Sequence, residues 1–332
     1  MKEIINSPYG GRTEPKLNYR NERGYMELLW DIIHFGSDTP DRTGVGRRKL
    51  FAVTQRYDLR DGFPYPTARN TPMRIAFEEF WAFLNGRCDI HTYLNEKSIS
   101  IWEGNTTRSF LDNRGLGHLP VGHGGKAYGF QYRNFNGEYD ENFMPTGGID
   151  QIKNVYEGLL NDPFGSRHVV TIWNPNQEKE MALPPCWWNH QFVVTLNDKG
   201  EKVLNIQVTG RSNDTIFGTP FNVSEFSLWL AVMAKATNMI AGELVPMQVD
   251  AHIYGKLDDL NKPDHENHIS SQMKYAIETL QREISEEPVQ LTINKELNSL
   301  EDILSLQFSD FEFSPVKVNK TPYEAKHPTM AV

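Results

Sequence analysis

Strand-forming and helix-forming runs do not alternate regularly along this chain, and that irregularity fits a doubly wound parallel sheet poorly. β-Branched and aromatic residues dominate 168–173, 191–196, 203–209 and 249–254, which read as strands. Helical spacing of apolar residues begins with Met26, Leu28, Leu29, Ile32 and Ile33. It returns over 75–84, where Gly86 stops it, and over 152–160, where Asn161-Asp162-Pro163 stops it. A long apolar run over 224–237 reads as a buried helix. A mixture of this kind predicts an α+β fold. No repeat of fixed period is present.

Composition narrows the function classes. The chain has 332 residues, 39% hydrophobic and 23% charged, enough for a large core in one domain or two. Its formal net charge of -9 argues against a broad nucleic-acid surface and favours a small anionic ligand held by local arginines. Cys88 and Cys186, the two cysteines, lie far apart, and no basic-then-apolar leader is visible. A reduced, cytoplasmic setting without disulfides is therefore expected. The most apolar stretch, 226–236, is too short to span a bilayer and contains Lys235, so no membrane partner is expected. Residues 1–24 lack periodicity and read as a tail, either mobile or wrapped on the surface, ahead of a domain from 25 to 332.

Chemistry concentrates between Leu183 and Asn222. Pro184 and Pro185 force an extended approach to Cys186, and a thiolate there needs a cation, for which Arg211 is the candidate. Taken alone, Pro-Pro-Cys is more often a buried structural thiol. Asn222 carries an amide able to donate and accept side by side to a ligand edge, with an amide capping a helix near Ser224 as the alternative. Glu79 sits in an otherwise apolar helical run, where burial favours its protonated form. Its neighbour Glu78 is expected to face solvent. His252 and Tyr254, two apart on a strand, share one face. Two polar segments, 106–126 and 258–268, read as surface insertions. Gly122-His123-Gly124-Gly125-Lys126 lacks the flanking residues of a phosphate loop. Asp264, His265, Glu266 and His268 fit no standard metal spacing, so no metal is expected.

The ordered set Pro184-Pro185-Cys186, Gln191-Phe192, Arg211-Ser212-x-Asp214, Gly218-x-Pro220-Phe221-Asn222 and Asp250-x-His252-x-Tyr254 resembles the thymidylate synthase family. Upstream landmarks agree: Asp41-Arg42-Thr43-Gly44, Asp61-Gly62-Phe63-Pro64, Glu79 before Trp81, Ile101-Trp102 and Tyr128-Gly129-x-Gln131, as does the closing His327-Pro328 to Val332. The resemblance runs from about Tyr25 to Val332. It implies a single domain with a mixed sheet and flanking helices, packed sheet to sheet as a homodimer.

It also implies roles. Cys186 would add to C6 of dUMP, and C5 would then take a one-carbon unit from 5,10-methylenetetrahydrofolate. Arg42, Arg211, Ser212 and an Arg167 from a second subunit would hold the phosphate, and His252 and Tyr254 the 3′-hydroxyl. Glu79 and Tyr128 would move protons, and Asn222 would read the base. Trp102, Asp214, Gly218, Phe221 and the terminal Val332 would contact the folate. Four departures stand out, the first three bearing on the product and the fourth on the grip on phosphate. Trp187 stands where the family usually has His, Gly210 where it has Gln, Asn105 where a second Trp is common, and Ser166 where a second Arg precedes Arg167. Pyrimidine hydroxymethylases, similar to this family, also lack that His and that Trp, which makes 5-hydroxymethyl-dUMP the competing product to dTMP. A nucleotide-binding paralogue without turnover is the third reading, and Cys186, Glu79, Tyr128 and Asn222 together speak against it.

Overall fold

A computed structural model describes Tyr9 and residues 12–262, 271–285 and 287–319. Among them, strands β1 (Asn18–Arg20), β2 (Ser37–Thr39), β3 (Arg47–Asp58), β4 (Glu138–Tyr139), β5 (Pro145–Thr146), β6 (Val169–Thr171), β7 (Trp187–Leu196), β8 (Lys202–Gly210), β9 (Asn213–Asp214), β10 (Ile240–Tyr254), β11 (Leu291–Ile293) and β12 (Phe311–Phe313) are interspersed with helices. The main sheet runs β1-β3-β10-β8-β7-β6, with β2 on β3 and β9 on β10. It is mixed. β1 runs parallel to β3 and β10 parallel to β8, whereas β3–β10, β8–β7 and β7–β6 are antiparallel. The architecture is the expected α+β sheet with flanking helices.

The sheet has one covered face. Alternation along β3 turns Leu50, Val53 and Tyr57 inward, and helix Asn21–Phe35 packs on this side through Leu28, Leu29 and Ile32. The alternation slips at Ala52, whose φ of 55° leaves Phe51 and Ala52 both pointing outward. Helix Gly218–Ala236 runs beneath β8 and β10 and is buried on nearly every side, which is why its sequence is apolar all round. Trp81, Phe80, Tyr132, Phe226 and Trp229 interlock between this helix and helix Met73–Leu84. Each such side chain stabilises the fold by about 1.5–3 kcal/mol through area removed from water. Gly86, at φ +74°, takes the left-handed turn that ends helix Met73–Leu84.

Several elements differ from the sequence reading for physical reasons. β3 was not anticipated, because Arg47, Arg48, Lys49 and Arg56 hide its alternation; Arg48 is nonetheless buried, donating to Ile32 and Ile33 carbonyls. β10 starts at Ile240 rather than 249, with a register shift between Ala241 and Leu244. Within the stretch read as a tail, Asn18–Arg20 adds an edge strand and a helix starts at Asn21. Asp31 anchors that region, accepting from Arg12, the Lys16 N–H and Tyr19. The 106–126 segment, read as a surface insertion, carries packing of its own. Leu111, Leu116 and Leu119 form a small core with Ala182, and Lys126 is buried between Glu138 and Glu180. Residues 263–268 of the other segment, with Asp264, His265, Glu266 and His268, lie outside the described residues, as does Val332. No described helix is long and apolar enough to cross a membrane.

Candidate active site

Helix Met73–Leu84, helix Tyr128–Asn134, the loop before β7 and the first turns of helix Gly218–Ala236 enclose a cavity of about 430 Å³. Glu79, Trp102, Tyr128, Cys186, Gly218, Phe221 and Asn222 all line it. A sequence spread over 144 positions thus converges because three helices point their ends or inner faces at one loop.

That loop is held by backbone contacts that Pro184 and Pro185 leave available. The Arg211 N–H donates to the Cys186 carbonyl at 2.8 Å, and the Arg211 guanidinium donates to the carbonyls of Pro185 and Pro184, each at 2.8 Å. The same guanidinium lies 5.4 Å from the Trp173 ring centroid. The Cys186 N–H donates to the Tyr128 hydroxyl at 3.1 Å, and Tyr128 stacks on Phe83 with ring centroids 4.6 Å apart. Burial pushes the Cys186 thiol up, while Arg211, the Tyr128 hydroxyl and Arg42 pull it down. Burial prevails, so the thiol stays above its ordinary range. Cys88, buried and pushed up to about 12, is inert by comparison.

The acidic side of the cavity holds more than the sequence reading found. Glu79 Oε1 accepts from Trp102 Nε1 at 2.6 Å, and burial raises the Glu79 carboxyl. Glu225, one turn along the helix from Asn222, also lines the cavity; its Oε2 accepts from Asn222 Nδ2 at 2.9 Å. Burial, then the neighbouring Glu79, drives the Glu225 carboxyl well above the usual range. An acid inside an apolar helical run was the signal that singled out Glu79, and the same signal was present at Glu225. Asn222 is not a cap: the helix starts at Gly218, so Asn222 lies inside its first turns. Glu78 is buried rather than solvent-facing, paired with Lys97 at 3.1 Å.

A polar face lies beside this cavity. Asp214 opens the helix by accepting from the Ile216 and Phe217 N–H groups, both at 2.9 Å, and its other oxygen accepts from Gln272 at 2.7 Å. β9 sets Asp214 in register with His252. His252 Nδ1 meets Asp250 at 3.0 Å, its Nε2 is buried without a partner among the described residues, and its ring packs edge-on against Tyr254 at 4.9 Å. Burial pushes the Tyr254 hydroxyl up to about 12. Ser212 faces Arg47, an arginine the sequence reading did not assign, at 3.5 Å. Arg42 is exposed on the 41–46 turn, yet its charge is felt at Cys186 and Tyr254. Arg167 is exposed just before β6, outside the cavity lining, and makes no ion pair among the described residues.

Two departures are one event in space. Trp187 and Gly210 are cross-strand partners, and a Cβ on residue 210 would stand 3.1 Å from the Trp187 ring. A side chain at 210 would therefore crowd both the ring and Asn213 Oδ1, which lies 3.0 Å from that Cβ. Asn105 also lines the cavity, with its Nδ2 buried and unpartnered. A second cavity, about 440 Å³ between Leu59, Met239 and Leu291, contains no nucleophile or carboxylate. Among the described residues no cluster of His, Cys, Asp and Glu could hold a metal ion.

One cavity thus gathers a thiol, two carboxyls and an amide, and the chain matches the thymidylate synthase family over residues 23–325. It belongs to that family. The thymidylate synthase of Saccharomyces cerevisiae is 35% identical over 88% of this chain and 92% of its own length. That of human herpesvirus 8 is 39% identical over 70% of this chain and 68% of its own. The bifunctional dihydrofolate reductase-thymidylate synthase of Zea mays is 35% identical over 96% of this chain. This chain spans about half the length of such bifunctional relatives, 56% of the maize protein.

Proposed function

We propose that this chain converts dUMP to dTMP with 5,10-methylenetetrahydrofolate as the one-carbon and hydride donor. The observation that carries the reading is the convergence of Cys186, Tyr128, Glu79 and Asn222 on one cavity. The Cys186 sulfur bonds to C6, and the resulting enolate at C5 captures the one-carbon unit. Because burial keeps the thiol protonated, nucleotide binding and the Arg211 charge must assist its deprotonation. Tyr128, fixed by the Cys186 N–H, sits where it can relay the C5 proton. Glu79, kept protonated by burial, supplies a donor near O4. Arg42, Arg211, Ser212 and Arg47 form the phosphate rim, and Arg47 offers the donor that Ser166 does not. His252 Nε2 and Tyr254 offer partners for the 3′-hydroxyl. Trp102, Phe221, Gly218 and Asp214 border the folate side. There the unpartnered Asn105 amide gives a pterin a polar contact, and Val332 would close the site.

The homodimer reading is supported by the uncovered sheet face, where Phe51 is 78% exposed and Val193, Met247 and Val249 are also open to solvent. Two such faces together would bring a partner's Arg167 to the rim. Phe51→Asp is expected to sediment as a monomer; a dimer unchanged in that variant would place the interface elsewhere.

Trapping tests the chemistry. With 5-fluoro-dUMP and methylenetetrahydrofolate the protein is expected to form a stable covalent ternary adduct, and Cys186→Ala none. Reversible binding alone would instead support a paralogue without turnover.

A further inference from the structure

Glu225 is 3% exposed and faces the Glu79 carboxyl within hydrogen-bonding reach. Its Oε2 takes the Asn222 amide, while its Oε1 is buried with no donor among the described residues. On the far side, Glu79 Oε1 takes the Trp102 indole. No Lys, Arg or His pairs with either carboxyl among the described residues. The other titratable groups felt around the pair are Tyr128 and Tyr132, both raised and neutral, and the Cys186 thiol beside Tyr128. Two ionised carboxylates in an apolar site repel, whereas one proton between them supplies the donor that the orphaned oxygen lacks.

We propose that Glu79 and Glu225 share one proton, and that Glu225 is a positioning residue that sets how Asn222 presents its amide to the pyrimidine. The two ends of an amide differ only in what they can bond, and with the shared proton held between Glu79 and the Oε1 side of Glu225, the Glu225 Oε2 can only accept. Glu225 therefore turns the Asn222 NH2 toward itself and leaves Oδ1 on the side of Gly218, which lines the cavity. Oδ1 and the second N–H then meet N3–H and O4. Base reading is thus a property of the chain Trp102-Glu79-Glu225-Asn222 rather than of Asn222 alone. The choice of ligand rests on the dUMP reading; the shared proton does not.

The test compares Glu225→Gln and Glu225→Leu, with melting temperature read alongside. Glutamine can accept from Asn222 and donate to Glu79, so the preference for dUMP over dCMP in kcat/KM stays within about threefold of wild type. Leucine does neither, and the preference falls about tenfold through loss of one buried hydrogen bond. Infrared spectra of ligand-free protein at pH 7 show a protonated carboxylic acid that the Glu79→Gln/Glu225→Gln double variant lacks. A folded leucine variant with full selectivity would overturn the positioning role. Should leucine prevent folding, a glutamine variant that loses selectivity while melting normally would overturn it equally. A wild-type spectrum without the acid band would overturn the shared proton. If the wild type turned over neither nucleotide, the proposed function would fail while the infrared result still decided the pair.

Discussion

At the scale of single residues, the decisive contrast is between groups whose chemistry is visible in their type and groups whose chemistry depends on a neighbour. Cys186, Asn222 and Glu79 were legible because a thiol after Pro-Pro, an amide in Pro-Phe-Asn and an acid in an apolar run are each unusual. Glu225 lies inside the apolar run 224–237 and carries the same signal as Glu79, an acid in a buried helix, but belongs to none of the motifs that carried the resemblance. Arg47 was missed because it sits on a strand whose basic residues concealed its pattern. Arg211 carries a second task that no spacing could reveal, clamping the carbonyls of Pro184 and Pro185. Asn222→Asp removes the donor to O4 and adds a third acid beside Glu79 and Glu225. We expect the kcat/KM ratio of dUMP to dCMP to fall by at least about tenfold, since one discriminating hydrogen bond is reversed. An unchanged ratio would remove Asn222 from base reading.

At the scale of elements, the sequence located most helices and strands but not their ends. Helix Gly218–Ala236 begins six residues before its apolar pattern starts, where Asp214 fixes the turn into it by accepting from the Ile216 and Phe217 N–H groups and Pro220, lacking an N–H, fits the first turn. That early start is what brings Phe221 and Asn222 into the cavity. Likewise, Trp187 and Gly210 lie 23 positions apart and look like unrelated departures until β7 and β8 pair them. Gly210→Gln is expected to destabilise the fold by about 1–3 kcal/mol through overpacking against the Trp187 ring. Adding Trp187→His should recover most of that loss. Urea denaturation of the two single variants and the double measures the coupling; strictly additive changes would show that the two positions are independent.

At the scale of the whole molecule, the fold class followed from irregular alternation, whereas sheet order did not, since β3 was hidden and β10 extends from Ile240, well before the strand read at 249–254. The sheet leaves one face on the core and one apolar face open, and the cavity forms on the covered side, where three helices end. On the proposed function, enclosure by Trp102, Trp187, Phe221 and Phe226 would favour hydride over water as the last reactant at the C5 methylene. The central claim is therefore a statement about product. Purified protein incubated with dUMP and methylenetetrahydrofolate, followed by mass spectrometry and by absorbance of dihydrofolate, tests it most directly. The account predicts dTMP with one dihydrofolate formed per nucleotide converted; 5-hydroxymethyl-dUMP accompanied by tetrahydrofolate would contradict it.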